Sequence, residues 1–453
     1  MPSNYFFENG TIIDGTGAAA RPGAVLVEDD KITAIGEDAT GRASQMAHGV
    51  TRIDARGMTV MPGLIDAHVH LSFDDAQSNA EIFYHRRNAL SALVAAYNAR
   101  KVLRAGVTSI LDPDSVYECM IDVRDAIESG VMEGPRVACG AYALMTSVGG
   151  TAGRLIPDHG VIGWGKVLKD KDEIVAEVRR QIKIGADWIK VHVTGLIPRQ
   201  KHKGELSVWM PDELKLLCDV AHDLGTPVVG HCRGAKAVRD AANAGFDLIY
   251  HATGMDDEAL EAVIDKRVPI APTLTFQANM ADFGETVGAD KGLRDFFRSE
   301  ITDSVETLKR AYAAGVPLLC GSESGFSMVP YGEWHYREME VFTRYLGFTP
   351  LQAVQCATQA GAFALRMKGK IGVIAPGYLA DVICVDGDPS KDVAVLGDPG
   401  RIKHVMIGGK MMDISPPAAR KAISGWRHAT MGGQLTRELV ASNRGSKSAW
   451  AKT

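Results

Sequence analysis

The chain has 453 residues, enough to bury a large core and to form more than one structural unit. With 46% hydrophobic and 23% charged residues and a net charge of −5, its composition is that of an ordinary globular protein and not of a nucleic-acid binder. No stretch reaches the ~20 apolar residues that a membrane span needs, and the opening MPSNYFFENG lacks the basic-then-apolar pattern of a signal peptide. Seven cysteines without a CxxC spacing read as small core hydrophobes in a reducing compartment, and a cytoplasmic protein is expected.

In chain order, residues 1–61 read as short strands with tight turns: YFFENGTIIDGTG, GAVLVEDDKITAIGE and VTRIDARGMTVM. Alternation and Gly- or Asp-rich punctuation predict a small antiparallel β unit. From Pro62 to residue 367 short apolar runs alternate with amphipathic helical stretches, the pattern of repeated βα units. The strand candidates are GLIDAHVHL, VTSILD, RVACGAYALM, WIKVHVTG, PVVGHC, DLIYHATG, VPIAPTL and VPLLCGSES. Eight such strands predict an α/β fold, a (β/α)8 TIM barrel. TPLQAVQCATQAGAFAL is expected to be a closing helix. The β texture returns over 368–415, in GKIGVIAPGYLADVICVDG and KHVMIGGKMM, and can join the N-terminal strands in one β-sandwich domain. Residues 416–453 carry seven Lys or Arg against the single Glu438, and read as a loose tail or an arm onto a neighbouring subunit of a homo-oligomer.

Catalytic side chains of such barrels come from the C-terminal ends of several strands. His68 and His70, one residue apart, share a face of the first strand. Alone, this pair fits two satisfied polar residues as well as half of a metal site. The fourth strand carries Lys190, the fifth ends in His231, the sixth in His251 and the eighth in Glu323. Each has an ordinary reading by itself: a hydrogen-bonded core imidazole, a snorkelling lysine, a helix-capping carboxylate. Their coincidence at one rim points to a divalent-metal centre. A buried Lys190 ammonium beside four imidazoles and a metal would be repelled. Carried as a carbamate, the same amine becomes an anionic oxygen ligand. Asp66, two residues before His68 but deeper, is expected to orient an imidazole. Cys232 and Cys320 are turned away from their neighbours by alternation and are given no catalytic role.

The segments MPGLIDAHVH, KVHVTG, GHCRG, YHATG, GSESG and GVIAPGYLAD resemble the amidohydrolase superfamily. The pattern is closest to the branch of prolidase-like dipeptidases and of carbamate, phenylurea and thiocarbamate (molinate) hydrolases. The resemblance implies that His68, His70, carboxylated Lys190 and the eighth-strand carboxylate hold one ion, and that Lys190 bridges to a second held by His231 and His251. It also implies a hydroxide nucleophile between the ions, with Glu323 as general base and then general acid. Zinc is the default, with cobalt or manganese possible. Where that branch has Asp in GTDxG or GSDxG, this chain has Glu323, one methylene longer, so one ion or two remain open. The third-strand loop has Gly149-Gly150-Thr151-Ala152 in place of a histidine-bearing GGHG sequence.

Candidate substrate contacts are Tyr142, Met145, His192, Arg199, Phe326 and Trp334, with Tyr331 beside the last two. Arg199 also reads as part of a solvated basic loop, and the aromatics as lid packing. The expected reaction is metal-dependent hydrolysis of an amide-like C–N bond (amide, urea or carbamate) in a small, uncharged, aromatic molecule. The alternative is a prolidase-like Xaa-Pro dipeptidase, which needs a cation for a free carboxylate; a non-catalytic scaffold on the same fold ranks below both.

Overall fold

The structure, a computed structural model, describes residues 4–46, 49–76, 87–149, 163–196, 205–420 and 434–443. Both ends of the chain build one sheet. Its strands are β1 (Asn4–Ile12), β2 (Arg21–Glu28), β3 (Lys31–Ile35), β4 (Val50–Asp54) and β5 (Thr59–Pro62) from the N-terminal side. From the C-terminal side come β17 (Val382–Val385), β18 (Ile402–Ile407) and β19 (Lys410–Met411). The order is β19-β18-β17-β5-β1-β2-β3, with β4 on β1. Antiparallel pairing of β17 with β5 joins the two ends, Val382 opposite Pro62.

Alternation decides the two faces of this sheet. Phe7, Val25 and Val27 pack with Val60, Val382 and Cys384 on one side. Phe6 and Leu26 pack on the other against Ala39 and Ala43 of helix α1 (Gly36–Gln45). Two features differ from the sequence expectation. β1 pairs with β4 and β5 in parallel, not antiparallel, and α1 lies where the sequence pattern predicts only strands and turns. That helix covers a face of the sheet that would otherwise leave Phe6 and Leu26 in water.

The intervening chain forms a TIM-barrel-like α/β fold. Strands β6 (Leu64–Asp66), β7 (Val107–Asp112) and β8 (Arg136–Cys139) pair in parallel. Beyond them, β9 (Ala143–Thr146) and β10 (Gly165–Leu168) lead to β11 (Ile189–His192). A short hairpin, β12 (Thr194–Leu196) and β13 (Leu206–Ser207), then precedes β14 (Val228–Arg233), β15 (Leu248–Thr253) and β16 (Ile270–Ala271). β11, β14, β15 and β16 are parallel neighbours. Backbone bonds close the ring: Asp187 N to Cys139 O joins β8 to β11, and Ile270 N to Pro317 O joins β16 to the eighth strand. Ala67 N to Cys320 O then joins the eighth strand back to the first.

The outer helices are those the apolar periodicity requires. In α4 (Lys171–Lys183) the buried Ile174, Glu177, Val178 and Gln181 follow the 3-4 spacing, and the Asp170 carboxylate accepts from Glu173 N at 2.8 Å as N-cap. Helices α2 (Asn88–Arg104) and α3 (Cys119–Glu128) precede it in the chain. The expected closing helix is shorter than its sequence suggests. It runs only over Pro350–Cys356, because the next carbonyl, Ala357 O, is taken by Ile65 N of the first strand at 2.7 Å. Inside the barrel, Trp188, Val229, Leu248, Tyr250 and Leu319 form one buried cluster beneath the rim.

The C-terminal segment folds back on its own barrel. Tyr97 OH donates to Ala418 O, Arg420 pairs with the buried Asp74, and Gln434 Nε2 donates to Asp75 at 2.8 Å. Leu435 is fully buried, its N–H on Ser327 O and its carbonyl accepting from Trp334 Nε1.

Barrel and sheet are locked by Arg136, whose Nε and Nη2 lie 2.7 and 2.9 Å from the buried Asp381 carboxylate, which also accepts from Gly408 N. Replacing Asp381 by Ala strands the guanidinium. The expected loss is about 3 kcal/mol, read as a lower urea midpoint at an unchanged slope.

Candidate active site

The first and eighth strands are sewn together at the rim. Glu323 N donates to His68 O at 2.7 Å and His70 N to Ser324 O at 2.8 Å. Asp66 sits below this seam and accepts from the backbone N–H of both His68 (3.2 Å) and Ser322 (2.9 Å). Its other oxygen meets Nδ1 of His335 at 2.8 Å. The imidazole that Asp66 orients is therefore His335, and its hold on His68 is through the backbone.

Each of the first two histidines is anchored at Nδ1. His68 Nδ1 lies 3.1 Å from Thr273 Oγ1, its ring stacks on Tyr250 at 3.8 Å, and its buried Nε2 has no hydrogen-bond partner. His70 Nδ1 meets Asp114 O at 3.1 Å. With Nδ1 occupied in both, Nε2 is the nitrogen each offers to the barrel axis.

On β11, Lys190 and His192 point the same way. Their shared partner is Asp114: Lys190 Nζ to Oδ1 is 3.3 Å, His192 Nε2 to Oδ2 is 3.4 Å, and His70 Nδ1 to Oδ1 is also 3.4 Å. Lys190 Nζ lies 4.6 Å above the Tyr250 ring. The bare ammonium thus has a counter-ion, which the sequence reading did not supply.

Strand register sets the other pair. His192 lies opposite His231 across β11 and β14, and the two rings stack at 4.8 Å. His231 Nδ1 faces His251 Nε2 at 3.0 Å, while His231 Nε2 meets Glu205 at 2.9 Å. Tyr250 points inward, so strand alternation would turn His251 away from the mouth. A left-handed backbone at His251 (φ 68°) and Ala252 (φ 49°) breaks that alternation. Thr273 and Glu323 also sit in the left-handed region, at φ 55° and 58°. Such strain costs of order 1–3 kcal/mol per residue and clusters at functional sites.

Glu323 Oε1 lies 3.9 Å from His251 Nε2, and its side chain is 14% exposed where His68, His70 and His251 are nearly sealed. Burial pushes its carboxyl up to about 7, against the pull of Arg233 and Lys190. Asp114 has the opposite balance. Burial opposes its charge, but Lys190 and His70 hold it well below the usual carboxylate range. Glu205 is held down to about 2 by His231 and Arg233 despite its burial. Burial drives the imidazoles down, His70 and His192 to about 4 and His68 and His251 well below the ordinary histidine value, with Lys190 adding to it at His68 and Arg233 at His251.

The remaining candidates divide. Phe326 lies edge-on to His70 at 6.2 Å and touches Phe73 and Phe276; Phe276 continues to Phe297 and Phe296, the latter half exposed. This aromatic wall runs from the histidines to the surface. Tyr142 is turned to the helices, its hydroxyl on Glu118 and Arg180 over its ring. Met145 is buried among Phe73, Trp164 and Val167, one layer behind the rim. Trp334 is buried against Phe283 and bonds Leu435, so it packs under the C-terminal segment and lines no pocket wall. Tyr331 braces the rim through its hydroxyl, 2.5 Å from His70 O. Arg199 and residues 150–152 lie outside the described residues. The sequence reading missed Asp114, Glu205 and Thr273. Only Asp114 had a visible signal, the LDPDS end of the second strand.

The donor set fits divalent ions. Ligand atoms of His68, His251 and Glu323 lie within 4.8 Å of one another, as do those of His68, His70 and Asp114. The partnerless His68 Nε2 and His251 Nδ1 are buried polar atoms that need an occupant or a ring reorientation. Neutral imidazoles with carboxylates suit zinc, cobalt or manganese alike.

The sequence profile of the amidohydrolase family matches residues 59–412. Ochratoxinase of Aspergillus niger is 26% identical over 431 residues, spanning 89% of this chain and 85% of its own. A Xaa-Pro dipeptidase crystallised with methionine in its active site superposes with a TM-score of 0.76 at 27% identity, covering 91% of this chain and all of that one. Molinate hydrolase shares the fold at a TM-score of 0.74 and 23% identity, over 93% and 98% of the two chains.

The depressed imidazoles make a titration prediction for the metal-free protein. His70 and His192 should stay neutral at pH 5.5, where a solvated histidine is mostly protonated, as read from ring-nitrogen shifts of histidine-labelled protein. Because the unfolded chain binds those protons first, the metal-free melting temperature should fall as pH drops from 6.5 towards 4. A flat profile would contradict the burial of these rings.

Proposed function

The chain belongs to the amidohydrolase family, an enzyme family acting on C–N bonds, and from this premise we propose that it hydrolyses an amide-like bond (amide, urea or carbamate) in a small, uncharged, aromatic molecule. The carrying observation is the convergence of His68, His251 and Glu323 at the inner end of the Phe326–Phe276–Phe297 wall. His68 and His70, with Lys190 as a carboxylated lysine and Glu323, would hold one ion; His231 and His251 would hold the other end of a two-ion centre. Zinc is the default occupant. Bound there, such ions lower the pKa of water towards neutrality and polarise a carbonyl.

The chain's own residues do the rest. Glu323, the partly exposed carboxylate beside His251, is placed to take a proton from water and return it to the leaving nitrogen. A left-handed backbone at that residue sets where the longer side chain begins. Phe326 and Phe276 offer an apolar surface for an aryl group beside His70. His192, stacked on His231 and held by Asp114, stands at the same mouth as a polar contact. Seven buried, unpaired cysteines support a reducing compartment such as the cytoplasm.

The dipeptidase reading is favoured by the Xaa-Pro dipeptidase likeness, but it asks for a spare cation. Arg233, the guanidinium whose charge acts on Glu323, is already paired with Glu300 and Glu205.

Two measurements test the proposal. Metal-loaded protein assayed on a panel of N-aryl amides, ureas and carbamates against Xaa-Pro dipeptides should prefer the uncharged aryl substrates; preference for free carboxylates reverses the choice. Glu323→Gln should lower kcat by roughly 10²–10⁴-fold, the usual yield of general acid–base catalysis, with little change in thermal stability. A smaller loss would remove Glu323 from the proton transfer.

A further inference from the structure

We propose that Asp114 is a positioning residue of the metal centre, one carboxylate that sets the ring orientation of His70 and His192 and holds Lys190 in place. It deepens the metal-centre reading above and rests on it. Asp114 is 1% exposed, among the most deeply buried acids of the described residues. Oδ1 lies between Lys190 Nζ (3.3 Å) and His70 Nδ1 (3.4 Å), Oδ2 faces His192 Nε2 (3.4 Å), and its own carbonyl meets His70 Nδ1 at 3.1 Å.

Three elements of the barrel, the ends of the first, second and fourth strands, therefore converge on a single anion. Its effect on His70 is specific. The Asp114 carbonyl at hydrogen-bond distance, with the negative carboxylate oxygen 3.4 Å away, favours the proton on Nδ1, which leaves the Nε2 lone pair for an ion. Its effect on Lys190 is equally direct: a buried ammonium without a partner would be strongly disfavoured, and Asp114 is the partner that keeps the amine at the rim before any modification. Neighbouring Asp112 does a different task, accepting from Leu71 N at 2.8 Å and so fixing the loop that follows His70.

The test uses the full chain stripped of metal and titrated with Co²⁺, following affinity and the visible ligand-field spectrum. Asp114→Asn keeps the shape but loses the charge and half of the acceptor capacity. It should weaken Co²⁺ binding by roughly 10–100-fold, the usual effect of losing a carboxylate behind a ligand histidine, and shift the cobalt bands. Metal-free melting temperature checks that the variant is folded. If D114N does not fold, Asp114→Glu, which keeps the charge one methylene away, should still shift the bands. Wild-type affinity with a wild-type spectrum in the folded variant overturns the proposal. No turnover is measured, so a wrong substrate class leaves the result standing; a wild-type chain that binds no cobalt overturns both this inference and the metal-centre reading.

Discussion

The site depends on one seam. Where the barrel closes, the first and eighth strands exchange Glu323 N–H···O His68 and His70 N–H···O Ser324, with the Asp66 carboxylate binding both backbones from below. Residues more than 250 positions apart in the chain are held in fixed register by these bonds. If the closure slipped by one residue, His68 and His70 would no longer share a face with Glu323. The stacked cluster of Trp188, Val229, Leu248, Tyr250 and Leu319 beneath makes the register rigid, because each large side chain has one place to sit.

Charge within the mouth is balanced locally. Lys190 meets Asp114, while Arg233 meets Glu300 and Glu205, and the latter also holds His231. Burial keeps the histidines neutral, which is the form that ligates metals. Glu323 alone among these acids is both partly exposed and pushed towards neutrality. Four left-handed residues at the ends of strands six to eight add backbone strain, and the packed barrel below holds them there.

The barrel was legible because its strands are apolar runs with polar ends, and the strand-end histidines because two-residue periodicity puts His68 with His70 and Lys190 with His192. His231 followed from the same rule. His251 is named from its strand-end position alone: alternation puts Tyr250 inward, and it is a positive φ, invisible in residue type for a histidine, that brings the next side chain round. Asp114 was missed because a carboxylate after a proline turn has many uses, and its three partners come from other strands. The aromatic residues misled where identity was weighed without packing. Phe326 faces the rim, whereas Trp334 is consumed by Leu435 and Phe283. Helix α1 and the parallel pairing of β1 with β4 lay beyond local pattern, since both are settled by which face of the sheet needs cover.

The sheet that unites residues 4–62 with residues 382–411 has a consequence for synthesis. During translation β5 waits with a free edge until β17 has left the ribosome, after the whole barrel has been made. Leu435, later still, seals the loop under Trp334. The loop carrying Ser327 and Trp334 is therefore covered only once residue 435 has emerged, and until then the nascent barrel keeps that face open.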